Sequence, residues 1–154
     1  MLLRLALTAL FLLLSSSLQA QVYKGRVVGV LDGDTIDVLV DDKPIRVRLA
    51  QIDAPEKRQP FGDRAKRELS NLLYGRDVVV VEDSRDRYGR VVGTVRVRNH
   101  VINHSMVANG WAWVYRQYSQ DRALLALEER ARMNQLGIWR DADPTPPWEW
   151  RRRK

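Results

Sequence analysis

Cysteine is absent from the 154-residue sequence. Disulfide bonds, thiol catalysis, cysteine-ligated metal sites and lipoprotein anchoring through cysteine are therefore excluded. Histidine is scarce, with only His100 and His104, and no third ligand lies near this pair, so we do not expect it to hold a metal. Serine hydrolysis is not indicated either, because the nucleophile motif Gly-x-Ser-x-Gly is missing.

Acidic residues are outnumbered, with 19 Asp and Glu against 26 Lys and Arg and a net charge of +7. A positive charge favours a polyanionic partner, either nucleic acid or an anionic membrane surface. The hydrophobic fraction of 45% and the charged fraction of 29% are typical of a globular protein. The length suits one domain. The composition therefore predicts a single basic globular domain.

Residues 1–20 have the layout of a signal peptide. Arg4 supplies a short positive region, Leu5–Leu14 carries no charge, and a run of three serines follows. The apolar run is too short to span a bilayer as a mature helix. We expect cleavage after Ala20, with cleavage after Ser17 as the alternative. The mature protein is then expected to be secreted or periplasmic, without a stable membrane anchor.

Residues 21–140 are predicted to form one domain of short strands and helices. Strands are predicted at Val22–Val30, Thr35–Val40, Ile45–Ile52, Asp77–Val81 and Val91–Val97. Apolar residues at helical spacing predict helices at about 65–75, 103–109 and 120–134. This order is compatible with an α+β fold built on a five-stranded OB-type β-barrel with about three helices, although the order alone also fits other α+β folds.

The segment 141–154 is rich in proline, tryptophan and arginine. Such a composition does not build a core of its own, so we expect a flexible tail. Its terminal Arg151-Arg152-Arg153-Lys154 run is expected to be solvated and to add nonspecific attraction for phosphate. Among the aromatic residues before it, core positions are favoured over a base-stacking surface for Trp111, Trp113 and Tyr115.

Three segments carry residues suited to phosphate chemistry: 32–35 (Asp-Gly-Asp-Thr), 46–56 and 86–90. Each has a structural explanation when it is taken alone. Asp-Gly-Asp favours a turn, alternating arginines can be the solvated face of a strand, and Tyr-Gly-Arg can be another turn. A chemical interpretation therefore depends on the three segments together.

Taken together, these segments supply a cation site, a base and phosphate-binding groups. Asp34 and Asp53 offer carboxylate oxygens suited to a hard cation. Glu56 follows Asp53 by three residues and can face the same cavity without holding the ion. Arg48 and Arg90 offer planar cations that match phosphate oxygens. These are the groups that phosphodiester hydrolysis requires.

In their order and spacing the three segments resemble the active-site signatures of the staphylococcal nuclease (thermonuclease) family. The resemblance extends in outline from residue 22 to residue 139 and includes Gly-Ile-Trp at 137–139. It implies a secreted, monomeric, calcium-dependent nuclease on an OB barrel. The implied reaction hydrolyses DNA and RNA and leaves 3′-phosphate ends.

The resemblance also implies the roles of single residues around a calcium ion. Its ligands would be the carboxylates of Asp34 and Asp53 and the backbone carbonyl of Ala54. Asp32 would lie near the ion as an outer carboxylate. Glu56 would be the general base, or at least the group that orients the attacking water.

The remaining implied roles concern the substrate. Arg48 and Arg90 would bind the scissile phosphate, while Arg87 and Tyr88 would hold the other phosphate of the nucleotide. Tyr115 is our choice for a substrate-binding aromatic residue, although the segment 113–115 fits more than one alignment.

Two features depart from the best-known members of the family. Ala54 stands where those members carry threonine, which removes a hydroxyl but keeps the carbonyl. The loop after Glu56 also looks shorter. The competing function is a catalytically silent OB-fold module that only binds nucleic acid. A silent domain would be free to lose the carboxylates and arginines of the site, and this sequence keeps all of them.

Overall fold

The computed structural model of the protein describes residues 20–153. The predicted signal peptide lies outside the described residues except for Ala20, so its cleavage stays a prediction. Between residues 20 and 153, no helix combines the length and the apolar character that a membrane span needs. The proposed boundary of the domain near residue 140 likewise stays a prediction.

Five long strands close into a barrel. They are β1 (Val22–Val30), β2 (Thr35–Val40), β3 (Lys43–Leu49), β5 (Asp77–Arg85) and β6 (Val91–Val97), while β4 (Ile52–Asp53), β7 (His100–Val101) and β8 (Trp113–Val114) are short. Antiparallel pairing runs in the order β3-β2-β1-β5-β6, and a parallel pairing of β3 with β6 closes the circle. This topology confirms the predicted α+β fold with a five-stranded OB-type barrel.

The barrel interior is filled by the β-branched and aliphatic residues that alternate along the strands. Val27, Ile36, Val38 and Val47 are at most 1% exposed, and burial of each such side chain contributes roughly 1.5–3 kcal/mol. Close packing of two strands also requires a glycine at position 25. A Cβ at Gly25 would lie 2.2 Å from the carbonyl oxygen of Leu39 on the neighbouring strand.

The helices pack around this barrel. They are α1 (Gly62–Leu73), α2 (Ile102–Ala108), α3 (Arg122–Met133) and α4 (Pro147–Arg152), with a 3-10 turn at Gly137–Arg140. The first three occupy the positions that the apolar spacing predicts. Helix α1 buries Ala65, Leu69 and Leu73 completely. Asp121 caps α3, because its side chain accepts a hydrogen bond from the backbone N–H of Ala123 at 2.7 Å.

Helix α4 lies in the segment for which the sequence predicts a flexible tail without core contacts. Pro147 begins the helix and is buried, and the side-chain nitrogen of Gln59 donates to the carbonyl of Thr145 at 2.6 Å. Proline favours the first turn of a helix, and Trp148 packs against the cluster around Trp139. The segment therefore has a docked conformation, while its mobility in solution stays a prediction.

One short strand pair positions the end of the predicted third strand. The prediction runs this strand to Ile52, but Gln51 adopts a positive φ of 68°, and the chain changes direction there. Ile52 and Asp53 then pair with Val114 and Trp113 of β8. As a result, Asp53 lies at the mouth of the barrel rather than continuing along β3.

Candidate active site

Two carboxylates come together at the mouth of the barrel. Asp34 stands at the end of the turn before β2, and Asp53 ends β4. Asp34 Oδ2 accepts a hydrogen bond from the backbone N–H of Ala54 at 2.9 Å, and its Oδ1 accepts one from the Thr35 hydroxyl at 3.0 Å. Both acidic residues are buried. The Asp34 carboxylate is therefore oriented by one backbone N–H and one hydroxyl.

The guanidinium of Arg48 joins these carboxylates. Its Nη2 lies 3.0 Å from Asp53 Oδ1 and 3.5 Å from Asp34 Oδ2, so the two oxygens face one point in space. Burial lowers the pKa of Arg48, but the charges of Asp34 and Asp53 outweigh it, and the net pKa is raised. Arg48 therefore carries its charge at every physiological pH.

A third carboxylate crowds the same place. Asp32 Oδ1 accepts a hydrogen bond from the backbone N–H of Asp34 at 3.0 Å. Burial and the neighbouring Asp34 raise the pKa of Asp32 to about 6. Burial also raises the pKa of Asp53, against the opposing effects of Arg151 and Arg48. The mouth of the barrel thus concentrates negative charge in a poorly solvated place, which a cation would relieve.

This donor set fits a hard cation. The side-chain donors are carboxylate oxygens that converge on one point, and no cysteine or histidine accompanies them. Within residues 20–153, no group of three or more His, Cys, Asp and Glu side chains is arranged to hold a metal. The predicted set contains only two carboxylates and a backbone carbonyl, so it does not form such a group. Water would have to complete it.

Glu56 faces the same place from the loop after β4. Its Oε1 accepts a hydrogen bond from Arg151 Nη1 at 2.7 Å, and Arg151 Nη2 donates to Asp53 Oδ2 at 2.8 Å. The backbone N–H of Glu56 donates to Gln59 Oε1 at 3.0 Å, which fixes the loop. The structure therefore brings Glu56 and Asp53 together on one guanidinium.

The predicted phosphate-binding residues of the 86–90 turn lie beside a neighbouring cavity. The cavity has a volume of about 540 Å³, and Asp32, Tyr88 and Arg90 are among its lining residues. Arg90 Nε lies 2.6 Å from Asp86 Oδ2. The guanidinium of Arg87 lies 4.9 Å from the ring centroid of Tyr88. Within the described residues, Arg90 makes no ion pair with Asp34 or Asp53. Of the three carboxylates, only that of Asp32 lines the cavity with Arg90.

Tyr115 stands on the other side of Arg48. The guanidinium carbon of Arg48 lies 5.8 Å from its ring centroid, and Trp148 of α4 stacks on its ring with centroids 5.5 Å apart and an interplanar angle of 4°. Trp113 is instead buried and contacts Trp139 edge-on, as expected for a core residue. Tyr115, rather than Trp113, is therefore the aromatic residue that borders the site.

Sequence reasoning missed Arg151 and Trp148 as neighbours of the site. The signal available was their spacing, because residues three apart share one face of a helix. It also missed Glu128 of α3, which is 2% exposed. Glu128 Oε1 accepts a hydrogen bond from the backbone N–H of Val114 at 2.9 Å. It thereby holds β8, the pairing partner of the strand that carries Asp53. No pattern in the sequence indicates that contact.

Comparison with known proteins matches residues 46–141 to the family described as staphylococcal nuclease homologue. An uncharacterized endonuclease of Escherichia coli is 49% identical over 131 residues, which cover 84% of this chain and 86% of that protein. A micrococcal nuclease of Shigella flexneri is 45% identical over 141 residues, covering 84% of this chain and 81% of that protein. Protein ParB of Escherichia coli is 47% identical over 140 residues, covering 84% and 79%.

Proposed function

Because this chain belongs to the staphylococcal nuclease family, we propose that it is a secreted, calcium-dependent nuclease. It hydrolyses phosphodiester bonds of DNA and RNA and leaves 3′-phosphate ends. One observation carries the proposal. Asp34, Asp53, Arg48 and Glu56 meet at the mouth of one barrel, with Arg90 across the adjoining cavity.

Asp34, Asp53 and the carbonyl of Ala54 would hold the calcium ion. A bound calcium ion supplies positive charge to the phosphoryl oxygens and a place for water. Asp34 is well suited to this role because the backbone N–H of Ala54 and the Thr35 hydroxyl already orient its carboxylate. The substitution of threonine by alanine at position 54 removes neither of these hydrogen bonds.

Arg48 and Arg90 bind the scissile phosphate. Each guanidinium presents a planar pair of N–H donors that matches two phosphate oxygens. Arg48 is 15% exposed, and electrostatic stabilisation by a poorly hydrated donor is stronger than in open water. Arg90 is held at the cavity by Asp86.

Glu56 acts as the general base. It accepts a proton from the water that attacks phosphorus, and its side chain is half-exposed, so water reaches it. Tyr88 lines the cavity that would take the adjoining nucleotide, and the guanidinium of Arg87 lies beside its ring. Tyr115 borders the site beside Arg48. The net charge of +7 attracts the polyanionic substrate without sequence preference.

The alternative function is a silent OB-fold module that binds nucleic acid without cutting it. Glu56→Gln separates the two, because glutamine keeps the shape of the side chain but removes the basic carboxylate. General-base assistance is worth about 10²–10⁴-fold in rate. Binding depends on the arginines and on the overall charge, so it should survive.

The experiment measures the cleavage rate and the dissociation constant of one labelled oligonucleotide, in the same calcium buffer and salt. Glu149→Gln is the matched control, since it removes the same charge from an exposed position of α4. A large fall in rate with intact binding in the Glu56 variant alone supports the nuclease. A wild type that binds but never cuts establishes the silent module. Unchanged rate and binding in both variants would mean that Glu56 is an ordinary loop carboxylate.

A further inference from the structure

We propose that Arg151 is a built-in counter-ion of the active site. Its guanidinium holds Asp53 and Glu56 in the cation-free enzyme and must leave them before a divalent cation binds. The inference rests on the proposed function, because it takes the carboxylates to be a cation site. It adds a residue of the C-terminal helix to that site as the competitor of the ion.

The first argument is the placement of the guanidinium. Arg151 Nη2 lies 2.8 Å from Asp53 Oδ2, while Arg151 Nη1 lies 2.7 Å from Glu56 Oε1 and 3.3 Å from Asp53 Oδ1. The guanidinium therefore bridges a proposed ligand of the ion and the proposed base. This one group contacts both carboxylate oxygens of Asp53 and one oxygen of Glu56, so another cation would have to share these oxygens with it or replace it.

The second argument is the shortage of free lone pairs on Asp53. Its side chain is 2% exposed, so water does not compete for its oxygens. Arg48 Nη2 already donates to Oδ1 at 3.0 Å, and Arg151 takes Oδ2. A calcium ion approaches an oxygen ligand to 2.3–2.6 Å. It would meet the positive charge of Arg151 at the same oxygen, so the two cations exclude each other.

The third argument is that α4 docks through contacts that do not involve Arg151, while the Arg151 side chain is partly exposed. The helix is held by buried Pro147, by the hydrogen bond from Gln59 to the carbonyl of Thr145, and by the stacking of Trp148 on Tyr115. The Arg151 side chain is 40% exposed. It can therefore turn into solvent while the helix stays docked. The exchange between guanidinium and ion needs no unfolding of the tail.

Arg152 provides a matched control on the same helix. It is the next residue, it is exposed, and it makes no ion pair within residues 20–153. Arg151→Gln and Arg152→Gln therefore remove the same charge from the same helix. Only the first change removes the guanidinium that binds Asp53 Oδ2 and Glu56 Oε1, while Arg48 stays on Asp53 Oδ1 in both variants. A general effect of net charge on calcium affinity would be equal in the two variants.

The experiment is calcium titration of the purified full chain by calorimetry, without nucleic acid, for the wild type and both variants. Arg151→Gln should bind calcium roughly fivefold or more tightly than Arg152→Gln, a typical coupling between two linked sites. Calcium should also raise the melting temperature of Arg151→Gln more than that of Arg152→Gln, because tighter binding to the native state stabilises it more.

Equal calcium affinity in the two variants would overturn the inference. Weaker binding by Arg151→Gln would overturn it as well and would make Arg151 a positioning residue for the carboxylates. Failure of the proposed function has a different signature. In that case neither the wild type nor any variant binds calcium, and both conclusions fall together.

Discussion

Asp32→Asn should stabilise the protein at neutral pH. Asp32 lies against Asp34 in a poorly solvated turn, and burial together with that neighbour raises its pKa from the ordinary 3.8 to about 6. At about 1.4 kcal/mol per pKa unit, this difference corresponds to about 3 kcal/mol of strain in the native state at pH 7. Asparagine keeps the oxygen that accepts the hydrogen bond from the Asp34 N–H.

The sign of the pH dependence follows from the raised pKa. Between about pH 4 and pH 6 the native state binds more protons at Asp32 than the unfolded state does, so wild-type stability falls as the pH rises through this window. The Asp32→Asn variant has no titratable carboxyl group at this position, so this pH dependence is absent from it. Its advantage should be near zero at pH 4, grow through pH 6 and be complete at pH 7.

Thermal unfolding in chelator, followed by circular dichroism at pH 4, 5, 6 and 7, measures this difference. Because the cavity admits solvent beside Asp32, we expect a gain of about 1–3 kcal/mol at pH 7, or roughly 3–10 °C. Asp42→Asn is the control, since it removes an exposed carboxylate from the β2–β3 turn. Calcium should reduce the stability difference between Asp32→Asn and the wild type, because it neutralises the crowded carboxylates. The reasoning is refuted if Asp32→Asn is no more stable than the wild type at pH 7. It is refuted as well if the gain in stability at pH 4 is as large as the gain at pH 7.

Four further substitutions test three separate parts of the molecule. Arg48→Lys and Arg90→Lys should each lower the cleavage rate roughly a hundredfold or more, because an ammonium lacks the planar pair of donors. Near-normal turnover in both variants would mean that neither guanidinium binds the scissile phosphate. Glu128→Ala should lower the free energy of unfolding, measured in urea, by about 2–4 kcal/mol, because it leaves the Val114 N–H and two arginines without their partner. A loss below about 1 kcal/mol would mean that Glu128 does not hold β8 in place. Trp148→Ala should speed proteolysis of the segment 141–153, since it removes the stacking on Tyr115; an unchanged rate would mean that the stacking does not hold α4.

Local pattern was enough to predict most of the barrel. The bounds of β1, β2 and β6 follow from their apolar alternation and the turn residues between them, because each of these signals lies within a few residues. The prediction for β3 ran too far, since the positive φ at Gln51 redirects the chain. Local sequence could not predict this change of direction, because it depends on the pairing of Ile52 and Asp53 with β8, some sixty residues away in the chain.

The residues of the site also fall into two groups, those that local sequence motifs predict and those that they do not. Asp34, Asp53 and Glu56 lie in short motifs, so the sequence alone predicts a cation site and a base at these positions. Arg151 contacts Asp53 across 98 residues of sequence, and its run of charges indicates only a solvated tail. Contacts of this kind depend on how the finished barrel receives the C-terminal helix. The spacing of Trp148 and Arg151 can place them on one helix face, but no local pattern indicates which residues that face contacts.

The most direct test of the central claim is the cleavage of a labelled oligonucleotide by the purified wild type, with calcium and with a chelator in excess. The account predicts rapid cutting to products with 3′-phosphate ends in calcium and no cutting in the chelator. Asp34→Ala should be inactive in both conditions, because the carboxylate that the Ala54 N–H orients is gone. Full activity in excess chelator, or in Asp34→Ala, would contradict the account.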